Sequence, residues 1–397
     1  MPALGQLADR LAWDPGLLTL GDRLGAAAAP DRPGELALCV DGPQFMAALS
    51  RDLAGARREV VVQTLAFEAD PAGLALARAL LDSPAPRRRL LIDDYSRHVQ
   101  SDKVVGAPNR LLDAALAREA EQTRALITQL RAHGVEVKYG RPLTSPADLL
   151  RPRDHKKLAI VDGRVAYLGG INFSAHNFLW HDLMLRVAHP EAARFLAADF
   201  ERSWAGRSVP VQGRFPGLDL VCAAGGGDEA VAATIGAEID RAARRIVLEC
   251  PYVTEPYLTR LAAARARGVQ VTILTSERSN RLGMKQGIMD ACRRNGIDLR
   301  LLPGPMTHVK ALLVDDATLV VGSANFDFLS ARLQPELVAV VQDRDLVGDF
   351  RERVLGPDLA RSRPWRPDET SPVATALGAG LINLARDVTG ALTGAAR

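Results

Sequence analysis

Two stretches of this chain repeat one another. Residues 154–172 read DHKKLAIVDGRVAYLGGIN, and residues 307–325 read THVKALLVDDATLVVGSAN. His155 and His308, Lys157 and Lys310, Asp162 and Asp315, and Asn172 and Asn325 each stand 153 positions apart. Four polar identities in one register mark an internal duplication, so the fold must be built from two like halves. Strand-like and helical stretches alternate through both. That predicts an α/β class of two similar lobes, each a mixed, largely parallel β-sheet flanked by helices. A pseudo-twofold axis is expected to relate them, with one active site between them.

Within each copy two apolar runs flank a turn. Leu158–Val161 and Val165–Leu168 lie either side of Asp162-Gly163. An Asp-Gly pair in that setting signals a hairpin, because both residues tolerate positive φ. A two-residue loop sets Val161 opposite Arg164, Lys157 opposite Leu168 and His155 opposite Gly170. Opposed residues share a face. His155, Lys157 and Asn172 are therefore predicted on one side, with Gly170 leaving room for a substrate. Ser323 takes that small-residue place opposite His308. Asp162 and Asp315, at the turns, are read as structural.

Lysine brings a point charge, asparagine brings amide donors, and imidazole can attack or donate a proton, a set suited to a phosphate. A lone histidine on a strand is more often structural. Duplication instead places two histidines around one phosphorus, one to attack and one to protonate the leaving oxygen. A covalent intermediate splits one hard displacement into two easier ones. Each imidazole also needs a carboxylate to fix it. Asp182 follows His155 by 27 residues and Glu336 follows His308 by 28, each opening an apolar run. With Lys157 and Lys310 supplying positive charge, this chemistry needs no metal and no other cofactor.

The doubled H-x-K-x-x-x-x-D, followed by G-G-x-N and G-S-x-N, resembles the phospholipase D superfamily. Within it, the chain is most similar to bacterial cardiolipin synthases and their soluble phospholipase D-like relatives. Cys250-Pro251-Tyr252, Arg267–Val271 and Trp180-His181-Asp182 extend the likeness over roughly residues 36 to 360. The resemblance implies that His155 is the nucleophile, forming a phosphohistidine, and that His308 is the acid. It implies that Lys157, Lys310, Asn172 and Asn325 bind the phosphoryl group, and that Tyr252 lines the mouth of the site. The implied substrate is a phospholipid, processed by phosphatidyl transfer or by hydrolysis. The alternatives are a nuclease using the same motifs and an inactive, lipid-binding member of the family.

The net charge of +3 over 397 residues is modest for a nuclease, and no basic patch with interleaved aromatics stands out, so nucleic acid is disfavoured as a partner. The intact His and Lys pairs argue against an inactive member. Cys39, Cys222, Cys250 and Cys292 are scattered without metal-ligand spacing and are expected to be buried free thiols. No apolar run reaches about 18 residues, and residues 1–35 lack the pattern of a signal peptide. Many cardiolipin synthases carry N-terminal membrane helices, and this chain departs from them. The expected location is cytoplasmic, with peripheral contact at the inner face of the membrane. Duplication removes the need for a dimer, so a monomer is expected.

The expected organisation is an N-terminal extension (1–35), a first lobe (36–205), a Gly/Pro-containing linker (206–216) and a second lobe (217–356). A Pro/Arg-rich link and a C-terminal amphipathic helix fill 357–397. Leu377, Leu381, Leu384, Val388 and Leu392 share one face of that helix. Residues 141–153 read as a loop leading into the first motif.

Overall fold

The computed structural model describes residues 35–105, 113–145 and 152–366. The C-terminal amphipathic helix, nearly all of the N-terminal extension and much of the loop before the first motif lie outside the described residues. The chain divides into two compact units. The first runs to Thr144 and resumes over Lys157–Arg207; the second takes Ser145–Lys156 and the chain from Ser208 onward.

The first unit contains β1 (Leu36–Val40), β2 (Glu59–Thr64), β3 (Arg87–Asp93), β4 (Val135–Gly140), β5 (Leu158–Val161), β6 (Val165–Gly169) and β7 (Leu183–Val187), in the order β1-β7-β6-β5-β2-β3-β4. The sheet is mixed, but the expectation of a largely parallel one is wrong. β2–β3 and β3–β4 are parallel, and the other four pairings are antiparallel. Among these, β5 and β6 are joined by a turn too short for the crossover that parallel neighbours need. Helices α1 (Asp41–Gly55), α2 (Pro71–Asp82) and α3 (Ala114–Ala132) cover one face. There Val60, Val62, Leu90 and Ile92 alternate inward onto Leu49, Leu76 and Leu126. The short α4 (Ala175–Phe178) follows the motif, and α5 (Pro190–Trp204) closes the unit. Arg89 of β3, wholly buried, ties α5 to the sheet by pairing with Glu201 and Glu59 beneath the rings of Phe200 and Trp204.

The second unit contains β8 (Val211–Phe215), β9 (Leu218–Cys222), β10 (Arg245–Glu249), β11 (Gln270–Ser276), β12 (Asp298–Leu302), β13 (Ala311–Val314), β14 (Thr318–Gly322), β15 (Leu337–Val341) and β16 (Arg363–Pro364). Their order is β8-β9-β15-β14-β13-β10-β11-β12-β16. Without its edge strands β8 and β16, this sheet repeats the first strand for strand. Helices α6 (Ala230–Arg241), α7 (Tyr257–Ala266), α8 (Leu282–Asn295), α9 (Phe328–Arg332), α10 (Arg344–Phe350) and α11 (Gly356–Arg361) complete the unit.

The edge strands correct two expectations. The supposed linker holds β8, which pairs with β9 through all five of its residues. Its Pro and Gly content misled because Pro210 and Pro216 only flank this edge strand, while Gly213 sits within it and still pairs with Leu220. The supposed link after residue 356 begins with α11, and Arg363–Pro364 then pairs with Leu301 and Arg300. All four cysteines are buried and unlinked. Among the described residues, no helix is long and apolar enough to cross a membrane.

Candidate functional site

Both motif hairpins turn at the aspartates. Asp162 and Gly163 have φ of 54° and 62°, and Asp315 and Asp316 have 52° and 57°. Arg164 N–H donates to Val161 O at 2.9 Å, and Ala317 N–H to Val314 O at 3.0 Å. The register is nevertheless one step from that expected. Val161 pairs with Val165 and Leu158 with Leu168, so Arg164 sits outside the ladder. Val314 likewise pairs with Thr318.

The aspartates clamp these turns to the neighbouring strand. The Asp162 carboxylate accepts from the N–H groups of Arg57, Arg58 and Glu59 at 2.8–2.9 Å. Asp315 accepts from Ala243, Arg244 and Arg245 at the same distances. Desolvation pushes both carboxyls up, but the three donors and an adjacent arginine outweigh it, and both pKa values lie below the usual aspartate value.

In the first unit, Lys157 and Asn172 are both buried, at 1% and 6% exposure. The Asn172 amide oxygen accepts from Thr64 Oγ1 at 3.3 Å and Ala66 N–H at 3.4 Å. That leaves its NH₂ as the end able to donate to a ligand. Gly170 does not open space for a substrate as expected. A Cβ built on it would lie 2.3 Å from Asp182 Oδ1, so the missing side chain makes room for that carboxylate. Asp182 is held in turn by Leu183 N–H donating to its Oδ1 at 2.8 Å. Asp41, which the sequence did not single out, braces the same turn. Its N–H donates to Asp182 O at 2.8 Å, and its carboxylate accepts from Asp182 N–H at 3.1 Å and contacts His181 Nδ1 at 2.7 Å. Its positive φ of 65° is a conformation that aspartate tolerates better than most residues.

Both motif histidines belong to the second unit, because His155 lies in the segment that precedes Lys157. Spacing made Asp182 the carboxylate of the first copy and Glu336 that of the second. In the structure Glu336 Oε1 lies 2.9 Å from His155 Nδ1, an ion-pair distance. His155 N–H also donates to Pro335 O at 3.0 Å, seating the histidine against the turn that carries Glu336. The Glu336 carboxylate is fully buried and bound by two hydroxyls: Ser330 Oγ donates to Oε1 at 2.6 Å, and Ser323 Oγ donates to Oε2. Ser323 was expected to line a substrate space; instead it orients this carboxylate. Ser330 was missed because it lies in α9, outside the motif.

His308 is fixed from two sides. Lys310 Nζ lies 2.9 Å from its Nδ1 and donates to its backbone carbonyl at 2.6 Å. The preceding Thr307 is pinned by Ser276, whose Oγ accepts its N–H at 2.7 Å, and donates its own Oγ1 to buried Glu249 at 2.7 Å. The Tyr252 ring stands edge-on to the His308 ring with centroids 6.5 Å apart. Its hydroxyl donates to Asn280, and Arg281 stacks over it at 5.1 Å. Asn325, 6% exposed, is steadied by its N–H donating to Ser330 Oγ at 3.1 Å. Burial pushes the nearby Cys250 thiol up to about 12, so it supplies no thiolate nucleophile at neutral pH. The second unit thus holds two buried imidazoles, one against a carboxylate and one beside an ammonium, with amide donors at hand. This is equipment for attacking a phosphorus ester and for moving a proton.

Comparison with known proteins agrees with this architecture. The family described as "Cardiolipin synthase, PLD-like domain" matches residues 49–204 and 235–355. Cardiolipin synthase A of Pseudomonas putida (strain W619) is 27% identical over 360 residues, covering 85% of this chain and 71% of that protein. Cardiolipin synthase B of Salmonella typhimurium (strain LT2) is 24% identical over 352 residues, covering 81% and 80%. Among solved structures, phosphatidylserine synthase of Haemophilus influenzae Rd KW20 superposes with a TM-score of 0.69 at 13% identity, covering 94% of this chain and 98% of that one. At that identity the likeness is one of fold.

Proposed function

Because this chain belongs to the cardiolipin synthase, PLD-like domain family, we propose that it is a phosphatidyltransferase acting on phospholipid phosphodiesters. The observation that carries the mechanism is the contact between His155 and buried Glu336. A carboxylate at Nδ1 favours the tautomer whose Nε2 carries the lone pair, and it stabilises the positive charge that develops as that nitrogen attacks.

In the first step His155 Nε2 forms a bond to phosphorus while the P–O bond to the headgroup alcohol breaks. His308 gives its proton to the departing oxygen. In the second step His308 takes the proton of an acceptor hydroxyl, whose oxygen attacks phosphorus, and the P–N bond breaks. Atoms and charge balance over the cycle, and both histidines return to their starting forms. Lys157 and Lys310 offset charge on the phosphoryl oxygens, and the amides of Asn172 and Asn325 donate to them. Tyr252 lines the approach to His308. The family resemblance and the names of the relatives support cardiolipin as the product, which phosphatidylglycerol as both donor and acceptor would give together with glycerol. The enzyme works at the membrane surface as a peripheral protein, most simply at the inner face.

The test is mass spectrometry of lipid products after purified protein meets phosphatidylglycerol vesicles, with His155→Ala as control. Cardiolipin and glycerol, lost in the variant, are the expected result. Phosphatidic acid would mean that water is the acceptor. No turnover of any phospholipid, with cleavage of nucleic acid instead, would overturn the proposal.

A further inference from the structure

Away from the two histidines, the first unit holds a second cluster of chemistry-bearing side chains, with Glu68 buried and Asp70 and Glu119 half-buried. Glu68, Asp70 and Glu119 each bring a carboxylate oxygen to within 4.8 Å of the others. A six-coordinate divalent cation places opposed ligand atoms about 4.2–4.8 Å apart, the range set by metal–oxygen distances from about 2.1 to 2.4 Å. His176 stands beside them, its Nδ1 3.9 Å from Glu68 Oε2 and its Nε2 3.7 Å from Asp102 Oδ1.

Most of the polar atoms here are engaged. Asp70 Oδ1 accepts from Ala72 and Gly73 N–H, capping α2, and its Oδ2 accepts from Ala175 N–H. Glu68 Oε1 accepts from Ser101 N–H at 3.0 Å, and Ser101 Oγ donates to Glu119 at 3.0 Å. Glu68 Oε2 is the exception. It is buried on a side chain only 2% exposed, and among the described residues it has no hydrogen-bond donor. The adjoining His176 Nδ1 also lacks a hydrogen-bond partner. Among the described residues, none of Glu68, Asp70 and Glu119 pairs with a lysine or arginine. A carboxylate oxygen buried in this way is costly unless a cation or proton meets it.

The duplication supplies an internal control. The bridge between Phe67 and Phe173 in the first unit corresponds to that between Val253 and Phe326 in the second. Glu68 N–H donates to Phe173 O at 3.1 Å, and Thr254 N–H to Phe326 O at 2.9 Å. Glu68 thus corresponds to Thr254, Asp70 to Pro256 and His176 to Leu329. At these three positions the second unit carries neutral residues and places its acids elsewhere in the turn, at Glu255 and Asp327, so the backbone does not require acid at positions 68 and 70.

We propose that Glu68, Asp70 and Glu119, with His176 beside them, form a binding site for one oxygen-preferring divalent cation of the magnesium or manganese class. The cation joins β2's C-terminal loop, the start of α3 and the α4 turn. Asn172 lies directly before that turn, so occupancy steadies the first-copy amide without entering the chemistry. The proposal stands apart from the identity of the lipid substrate.

The experiment uses the full chain, stripped of metal, with Mn²⁺ binding followed by electron paramagnetic resonance. Thermal unfolding is followed in parallel at constant ionic strength. One Mn²⁺ per chain is expected, with Tm rising by about 3 °C at roughly tenfold excess over Kd. Glu68→Thr, which installs the second unit's residue, and Glu119→Gln are expected to abolish both effects. Absence of Mn²⁺ binding to the wild-type chain, with no Tm shift from Mg²⁺, Mn²⁺ or Ca²⁺, would overturn the site. So would unchanged binding in a folded Glu68→Thr protein. Should Glu68→Thr fail to fold, Glu119→Gln, at a less buried position, decides whether the bound Mn²⁺ sits here.

Discussion

Glu336 lies against His155, 2.9 Å from Oε1 to Nδ1, although the two residues belong to different copies of the repeat. The carboxylate is fully buried and braced by Ser323 and Ser330, so it cannot drift from the imidazole without breaking two hydroxyl contacts. Glu336→Gln keeps the shape and removes the charge. It should lower kcat by about 10²–10⁴-fold while leaving KM within a few-fold. Ser330→Ala, which removes one brace, should cost less, on the order of tenfold. Steady-state kinetics on phosphatidylglycerol vesicles checks both. A Glu336→Gln enzyme with normal kcat would show that the contact has no part in catalysis.

Gly170 is constrained by Asp182 rather than by a ligand. In Gly170→Ala the new methyl would stand 2.3 Å from Asp182 Oδ1, so the carboxylate must swing away. Activity should fall at least tenfold in a protein that stays folded by circular dichroism. Full activity would mean that the position of Asp182 does not matter to turnover.

Asp162 and Asp315 should behave as stability residues. Each carboxylate accepts three backbone N–H donors, and each pKa is depressed. Such a group stabilises the fold above its unfolded pKa and loses that contribution as pH falls through its folded value. Asp162→Asn and Asp315→Asn should therefore each cost roughly 1–3 kcal/mol at pH 7. The gap from wild type should narrow below about pH 4. Denaturant unfolding at the two pH values measures this, and a gap that widens in acid would contradict it.

Much of the fold was legible because duplication leaves a long-range trace in sequence. The 153-residue offset and the Asp turns led to two like sheets, and these are present. The carboxylate assignment was not legible. Spacing reports neighbours along the chain, and residues 145–156 join the second unit, carrying His155 to Glu336. The role of Gly170 was hidden for a similar reason, since Asp182 reaches it through the pairing of β6 with β7. The one-step register error came from treating a hairpin as an isolated pair of strands. Here each turn is also clamped to a third strand by its aspartate, and one residue is left outside the ladder. The Glu68 cluster draws residues from positions 68, 70, 119 and 176, a spread that no local motif would reveal.

The most direct test of the account is to catch the covalent intermediate. Wild-type protein turning over phosphatidylglycerol is quenched in alkali, in which a P–N bond survives, and its peptides are mapped by mass spectrometry. The account predicts a phosphorus-linked adduct on the peptide bearing His155, absent from His155→Ala. An adduct on His308, or continued product formation by His155→Ala, would contradict it.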